Sequence, residues 1–246
     1  MAEGVDYSFD RPDKVALWNA GKSFAGRYFG LGSASKIATT TEIAALNSLG
    51  MAVFALAEQW GDSSLQGFGL GTQHALIVRD DLDAKGVPGD RPAYFAVDFD
   101  VQSYQWHAVY DYFSGVNSVL PLNRIGIYGG IHAMEWAQRD GLALWFFQTY
   151  AWSGGRWFPG NHVQQYSNNH VIGGGKVDYC QSVRDDFGQW PGGFGGPNPG
   201  QPNTVPVVTA GSWDYTGEIA GTAGDDGQLA AYLDQHARNL DGLRNL

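Results

Sequence analysis

The chain has a single cysteine, Cys180, so no disulfide can close within it and no cysteine-rich zinc site can be built. Charge is scarce, at 16% of residues, and it leans acidic: 15 Lys and Arg against 25 Asp and Glu leave a formal net charge of −10. With no basic stripe to displace counterions from phosphates, nucleic acid and anionic membrane surfaces are excluded as partners. No run approaches the roughly 20 apolar residues of a membrane-spanning helix. The opening MAEGVDYSFDRPDK lacks the basic-then-apolar order of a secretory signal. The six histidines show no HExxH or similar spacing, and no GxGxxG, Walker or GxSxG pattern stands anywhere, so neither a metal nor a cofactor is expected.

What the chain does have is apolar residue, 43% of 246, enough to bury one large core. Short apolar runs at 4–8, 24–30, 51–59, 93–100, 124–130, 144–152, 162–167 and 176–180 alternate with helix-like segments at 39–50, 72–85 and 102–119. Strand-then-helix alternation reads as a parallel sheet, and eight strands favour closure. The predicted fold class is α/β, a compact (β/α)8 TIM-like barrel over residues 1–188. That span falls just under the roughly 200 residues usual for such barrels, so helices after the sixth and seventh strands should shrink to loops. Residues 189–206, dense in Gly and Pro without a period, read as a linker or strap, and 207–246 as a C-terminal segment ending in a short helix.

The strongest chemical signal is Tyr94-Phe95-Ala96-Val97-Asp98-Phe99-Asp100. Strand side chains alternate, so Tyr94, Ala96, Asp98 and Asp100 share one face. Two carboxylates then point inward at the strand end where parallel α/β folds place their sites. Two like charges this close raise one pKa, and one protonated beside one ionised carboxyl is what glycosidic cleavage requires. Asp6, Glu58 and Asp178 fall near the ends of three other candidate strands, although an acid there is commonly a turn or cap residue. Arg27, Tyr128, Gln148, Tyr150, Trp152 and Gln165, with Gln59 and Tyr166, gather at the same level. They read as core and backbone-satisfying residues or as a sugar-binding cleft.

Five segments in this order carry a resemblance: GVDYS, GRYFG, AYFAVDFD, GIYGG, and QQYS followed by GGGKVDYC. Over residues 4–187 the chain resembles the glycoside-hydrolase-like domain of actinobacterial and actinobacteriophage proteins. That group is itself similar to the family 25 glycoside hydrolases, the barrel lysozymes. The resemblance implies a muramidase-like enzyme whose site is lined by Asp6, Asp98, Asp100 and Asp178 with Gln165 beside them. The lysozymes carry Glu as proton donor on the fourth strand. Here that position is Asp100, one methylene shorter, which leaves Asp100 or Glu58 as the general acid.

Three functions follow as expectations. The first is hydrolysis of peptidoglycan or another actinobacterial cell-wall glycan, a phage-borne lysin being one form of it. The second is glycan binding without turnover, and the third a structural virion or tail protein on the same barrel. The protein would be virion-associated or extracellular by a route other than a signal peptide. In residues 207–246, Leu229, Leu233, His236, Leu240 and Leu243 recur at steps of four and three, an a/d-type seam suited to self-association or to a virion partner.

Overall fold

The structure, a computed structural model, describes residues 1–191. Eight strands close into one barrel in chain order. They are β1 (Glu3–Asp6), β2 (Phe24–Tyr28), β3 (Ala52–Ala57), β4 (Ala93–Val97), β5 (Ile125–Gly129), β6 (Trp145–Thr149), β7 (Val163–Ile172) and β8 (Gly175–Ser182). Helices α1 (Lys14–Asn19), α2 (Thr40–Ser48), α3 (Gly67–Ala84), α4 (Trp106–Asn117) and α5 (Ile131–Arg139) follow the first five strands. Local chemistry starts two of them: the Asp13 carboxylate accepts from the Ala16 N–H at 2.7 Å, and the Thr39 hydroxyl from the Glu42 N–H at 3.1 Å. As expected, no helix follows β6 or β7. No helix among the described residues is long and apolar enough to cross a membrane.

One feature departs from the all-parallel expectation. The strands β1 to β7 pair in parallel, but β8 runs antiparallel to both β7 and β1. The cause is local. Only Gly173 and Gly174 separate β7 from β8, and both take positive φ, 54° and 80°. Two residues at positive φ make a hairpin turn, whereas a parallel return needs a crossover of a dozen or more residues.

Two apolar layers hold the barrel. Outside it, Val5, Ala25, Val53, Phe95, Val97 and Ile127 pack under Leu17, Leu46, Val78, Val109 and Met134 of the helices. Inside it, Phe24, Phe54, Tyr94 and Phe147 form the second layer, with Phe187. Glycines on neighbouring strands make room for these rings. A Cβ on Gly4 would come within 2.2 Å of Phe24, on Gly26 within 2.6 Å of Phe54, and on Gly126 within 2.6 Å of Tyr94. Phe54 meets both Tyr94 and Phe147 edge-on with centroids 5.5 Å apart. The Tyr94 hydroxyl donates to the Phe187 carbonyl at 2.8 Å, so this aromatic plug fills the end where the parallel strands begin. The polar residues are left to the other end.

Trp190, in the stretch whose composition reads as linker, exchanges backbone hydrogen bonds with Val53 at 2.8 Å in each direction and is buried. The rest of the expected 189–206 linker, from residue 192 on, and the expected 207–246 segment with its a/d-type leucine pattern lie outside the described residues.

Candidate active site

Inward parity toward one end of the barrel brings together Asp6 of β1, Tyr28 of β2, Asp98 just past β4, Tyr128 of β5 and Gln165 of β7. The antiparallel β8 adds a sixth. Asp178 is the register partner of Asp6 across the β1–β8 ladder, so it lies mid-strand and still reaches the mouth. Asp6, Tyr28, Leu56, Tyr94, Ala96 and Tyr128 line a small open pocket whose floor is the aromatic plug.

Gln165 ties the acids together. Buried to 2% exposure, its amide Nε2 donates to Asp6 Oδ2 at 2.8 Å and to Asp178 Oδ2 at 3.4 Å. Its Oε1 accepts from the Tyr128 hydroxyl at 3.0 Å, which fixes which way the amide faces. Asp6 also accepts from the Cys180 thiol at 3.1 Å, and Asp178 Oδ1 from the Asn169 N–H at 2.8 Å. Asp98 is held through its backbone N–H, which donates to the Gly61 carbonyl at 3.1 Å.

These surroundings displace the titrations. Burial, then the Asp178 charge, pushes the Asp6 carboxyl well above the ordinary carboxylate range, against the lowering effect of Gln165 and Cys180. Burial likewise raises Asp178, against the Asn169 N–H and His170. Asp98 rises to about 6, through burial first and repulsion by Glu58 second, partly offset by Lys36 and Tyr128. Burial similarly lifts Tyr28 and Tyr128, which stay hydrogen-bond donors at neutral pH.

Glu58 stands just past β3 with its carboxylate 2.7 Å from Lys36 Nζ. The Lys36 ammonium, almost fully buried, also lies 4.3 Å over the Tyr28 ring. Neither Lys36 nor Tyr28 stands out in the sequence. Parity could have found Tyr28, which shares the Phe24 and Gly26 face of β2; Lys36 sits in the loop before α2, where no strand or helix period points to it.

Other sequence candidates lie elsewhere. Asp100 is exposed beyond the end of β4 and is not drawn into the acidic cluster. Arg27 points to the outer face of β2. There its guanidinium is wholly buried, bonded to Glu42 at 3.1 Å, to the Lys36 carbonyl at 3.2 Å and to the Tyr7 carbonyl. Gln148 also faces outward, with zero exposure, and its amide is spent on the loop after β6. Neither Arg27 nor Gln148 has a group free to meet a substrate. Tyr150 and Trp152 stand in that loop, half-exposed at the mouth end. Gln59 accepts from the Gly32 N–H at 3.2 Å, and the Tyr166 hydroxyl donates to Glu3 at 2.6 Å. Among the described residues no group of three or more His, Cys, Asp or Glu is placed to hold a metal ion.

This arrangement can hold one carboxyl protonated and another ionised at neutral pH beside an open pocket, which acid-assisted cleavage of a glycosidic bond requires. A family model described as "Rv2525c-like, glycoside hydrolase-like domain" matches residues 15–187. A Mycobacterium tuberculosis protein named "Putative peptidoglycan hydrolase Rv2525c" is 31% identical over 141 residues, 54% of this chain and 58% of that protein, so the match spans little more than half of the relative. The crystal structure of the Tat-secreted Rv2525c with L-tartrate superposes with a TM-score of 0.72 at 26% identity, covering 77% of this chain and 98% of that one. A family 25 glycosyl hydrolase from Bacillus anthracis shares the fold, with a TM-score of 0.50 at 17% identity over 76% of this chain and 90% of that one.

Proposed function

The chain belongs to the Rv2525c-like, glycoside hydrolase-like domain family, and from that premise we propose that it hydrolyses a cell-wall glycan of the peptidoglycan class at the acidic mouth of its barrel. The observation that carries this reading is the convergence of Asp6, Asp98 and Asp178, all with raised pKa, around Gln165 and Tyr128. Asp98 is the general acid: half-buried, protonated below about pH 6, and without an ion-pair partner among the described residues. It donates its proton to the leaving oxygen as the glycosidic bond breaks; a water then adds to the sugar carbon and gives up the proton that restores Asp98. Asp178, half-buried and held by Gln165 and the Asn169 N–H, is the carboxylate that stabilises the positive charge developing at the sugar carbon. Asp6, beneath it, shares the pair's proton and orients Gln165. The named relative is Tat-secreted, and an extracytoplasmic site of action suits a wall substrate. A phage-borne form would use the same chemistry.

Binding without turnover has one observation in its favour: Asp100, at the position the barrel lysozymes use for proton donation, is exposed and outside the buried cluster. One experiment separates the two readings. Purified peptidoglycan is incubated with the parent protein, Asp98→Asn and Asp100→Asn, and new reducing ends are counted. The hydrolase reading expects release by the parent, release by Asp100→Asn within a few-fold, and a loss of about 10²–10⁴-fold in Asp98→Asn. Retention on the wall with no release by any of the three would sink hydrolysis in favour of binding.

A further inference from the structure

The loop after β6 presents two half-exposed tryptophans, Trp152 at 39% and Trp157 at 38%. Its backbone is tied down from below by one buried side chain. Gln148 Nε2 donates to Ser153 Oγ and to the Arg156 carbonyl, each at 2.8 Å. Gln148 Oε1 accepts from the Phe158 N–H at 2.7 Å and from Asn161 Nδ2 at 2.8 Å. These four bonds use the amide's whole capacity. They fall beside Trp152 and on both sides of Trp157.

The loop is also pressed onto the mouth. The Tyr150 N–H donates to the carbonyl of Gln165, the residue that joins Asp6 and Asp178, at 2.9 Å. Trp152 takes φ 56°, a left-handed conformation costly for a bulky residue. It packs so closely on Gly130 that a Cβ there would stand 3.0 Å from Trp152 Cβ. Gly130 lies two residues past Tyr128 of the pocket. Arg156 pairs with Glu135 of α5 at 3.0 Å, which pins the loop's outer side. A strained backbone and a saturated buried amide thus hold the loop that carries two half-exposed tryptophans against the strand that carries Gln165.

We propose that residues 150–162 form a pre-organised stacking platform on which Trp152 and Trp157 take the apolar faces of successive sugar rings in a glycan strand. The platform makes the protein selective for polymeric over short glycans, and Gln148 is its positioning residue. Rigid aromatic rings lose little entropy on binding, so fixing them before the ligand arrives favours affinity. The inference rests on the hydrolase reading for the ring held at Asp98 and Asp178, and adds the rings beyond it.

The test uses the full chain carrying Asp98→Asn, so that ligand survives, and isothermal titration with a long soluble N-acetylglucosamine oligosaccharide and with the disaccharide. Trp152→Ala and Trp157→Ala, at exposed positions, should each lower the long-to-short affinity ratio about tenfold. Gln148→Met should lower it likewise; Ser153→Ala and Asn161→Ala, which each remove one tie, should lower it less. An unchanged ratio in both tryptophan variants overturns the platform, as does failure of the long oligosaccharide to bind. Loss of self-association in those variants with the ratio unchanged also overturns it, in favour of a protein partner. Tight binding of the long oligosaccharide, with no new reducing ends released from peptidoglycan by the parent, defeats the hydrolase reading and leaves the platform standing.

Discussion

Asp6 and Asp178 face each other across the seam where β1 meets a strand running the opposite way, and one amide, that of Gln165, donates to both. Each carboxyl is raised by burial, and the Asp178 charge raises Asp6 further. The folded state therefore holds protons here more tightly than the unfolded chain does. The linked stability is fully present below the ordinary carboxylate pKa near 3.8 and is lost as the pH rises through the folded values. Asp6→Asn should accordingly be more stable than the parent at pH 8. At pH 4, close to the unfolded value of 3.8, most of the advantage should be gone. Urea unfolding at the two pH values checks this, and an advantage equal at both would contradict it.

Asp98 as general acid predicts a rate that falls as the pH climbs past about 6. Its two charged neighbours should move that limb in opposite directions. Glu58 raises Asp98 by repulsion, so Glu58→Gln should shift the limb to lower pH. Lys36 lowers it, so Lys36→Met should shift the limb upward. Reducing-end release across pH 4–9 reads both shifts; movement of the two variants in the same direction would refute the assignment.

Arg27 should govern stability rather than affinity. Its guanidinium is wholly buried against Glu42 and braces the carbonyls of Tyr7 and Lys36. Arg27→Ala leaves the Glu42 carboxylate buried without its main partner, and breaking such pairs costs about 3–5 kcal/mol. Arg27→Lys should recover part of this, since an ammonium cannot span both carbonyls and the carboxylate. Chemical unfolding, set beside glycan affinity of the protein that remains folded, checks the separation.

Gly126→Ala should destabilise by about 1–3 kcal/mol through overpacking, because the added methyl would come within 2.6 Å of the buried Tyr94 ring. Tyr94 has little room to yield, with its hydroxyl bonded to Phe187 and its ring against Phe54 and Phe147. Gly86→Ala, with open space around it but φ 68°, is a contrasting control that carries backbone strain alone. Melting temperatures of both variants decide the point.

The sequence by itself determined the number of strands and, in β4, which residues look inward. Its alternation is unbroken there, because Phe95 and Val97 must meet helices while Tyr94, Ala96 and Asp98 must not. It also contained an unread sign that the last strand turns back, since the eight residues between the runs at 162–167 and 176–180 are too few for a crossover. Parity was hidden where a strand is apolar on both faces. In Trp145-Phe146-Phe147-Gln148-Thr149 aromatics flank the amide on one side only, so nothing in the string says that Gln148 faces the loop and Thr149 the barrel. Tertiary structure alone decided that Asp178 meets Asp6, that Glu58 is held by Lys36, and that Asp100 stands outside the cluster. Those outcomes depend on strand direction, on register and on where the backbone leaves the barrel after Val97, and each is set by contacts between residues far apart in the chain.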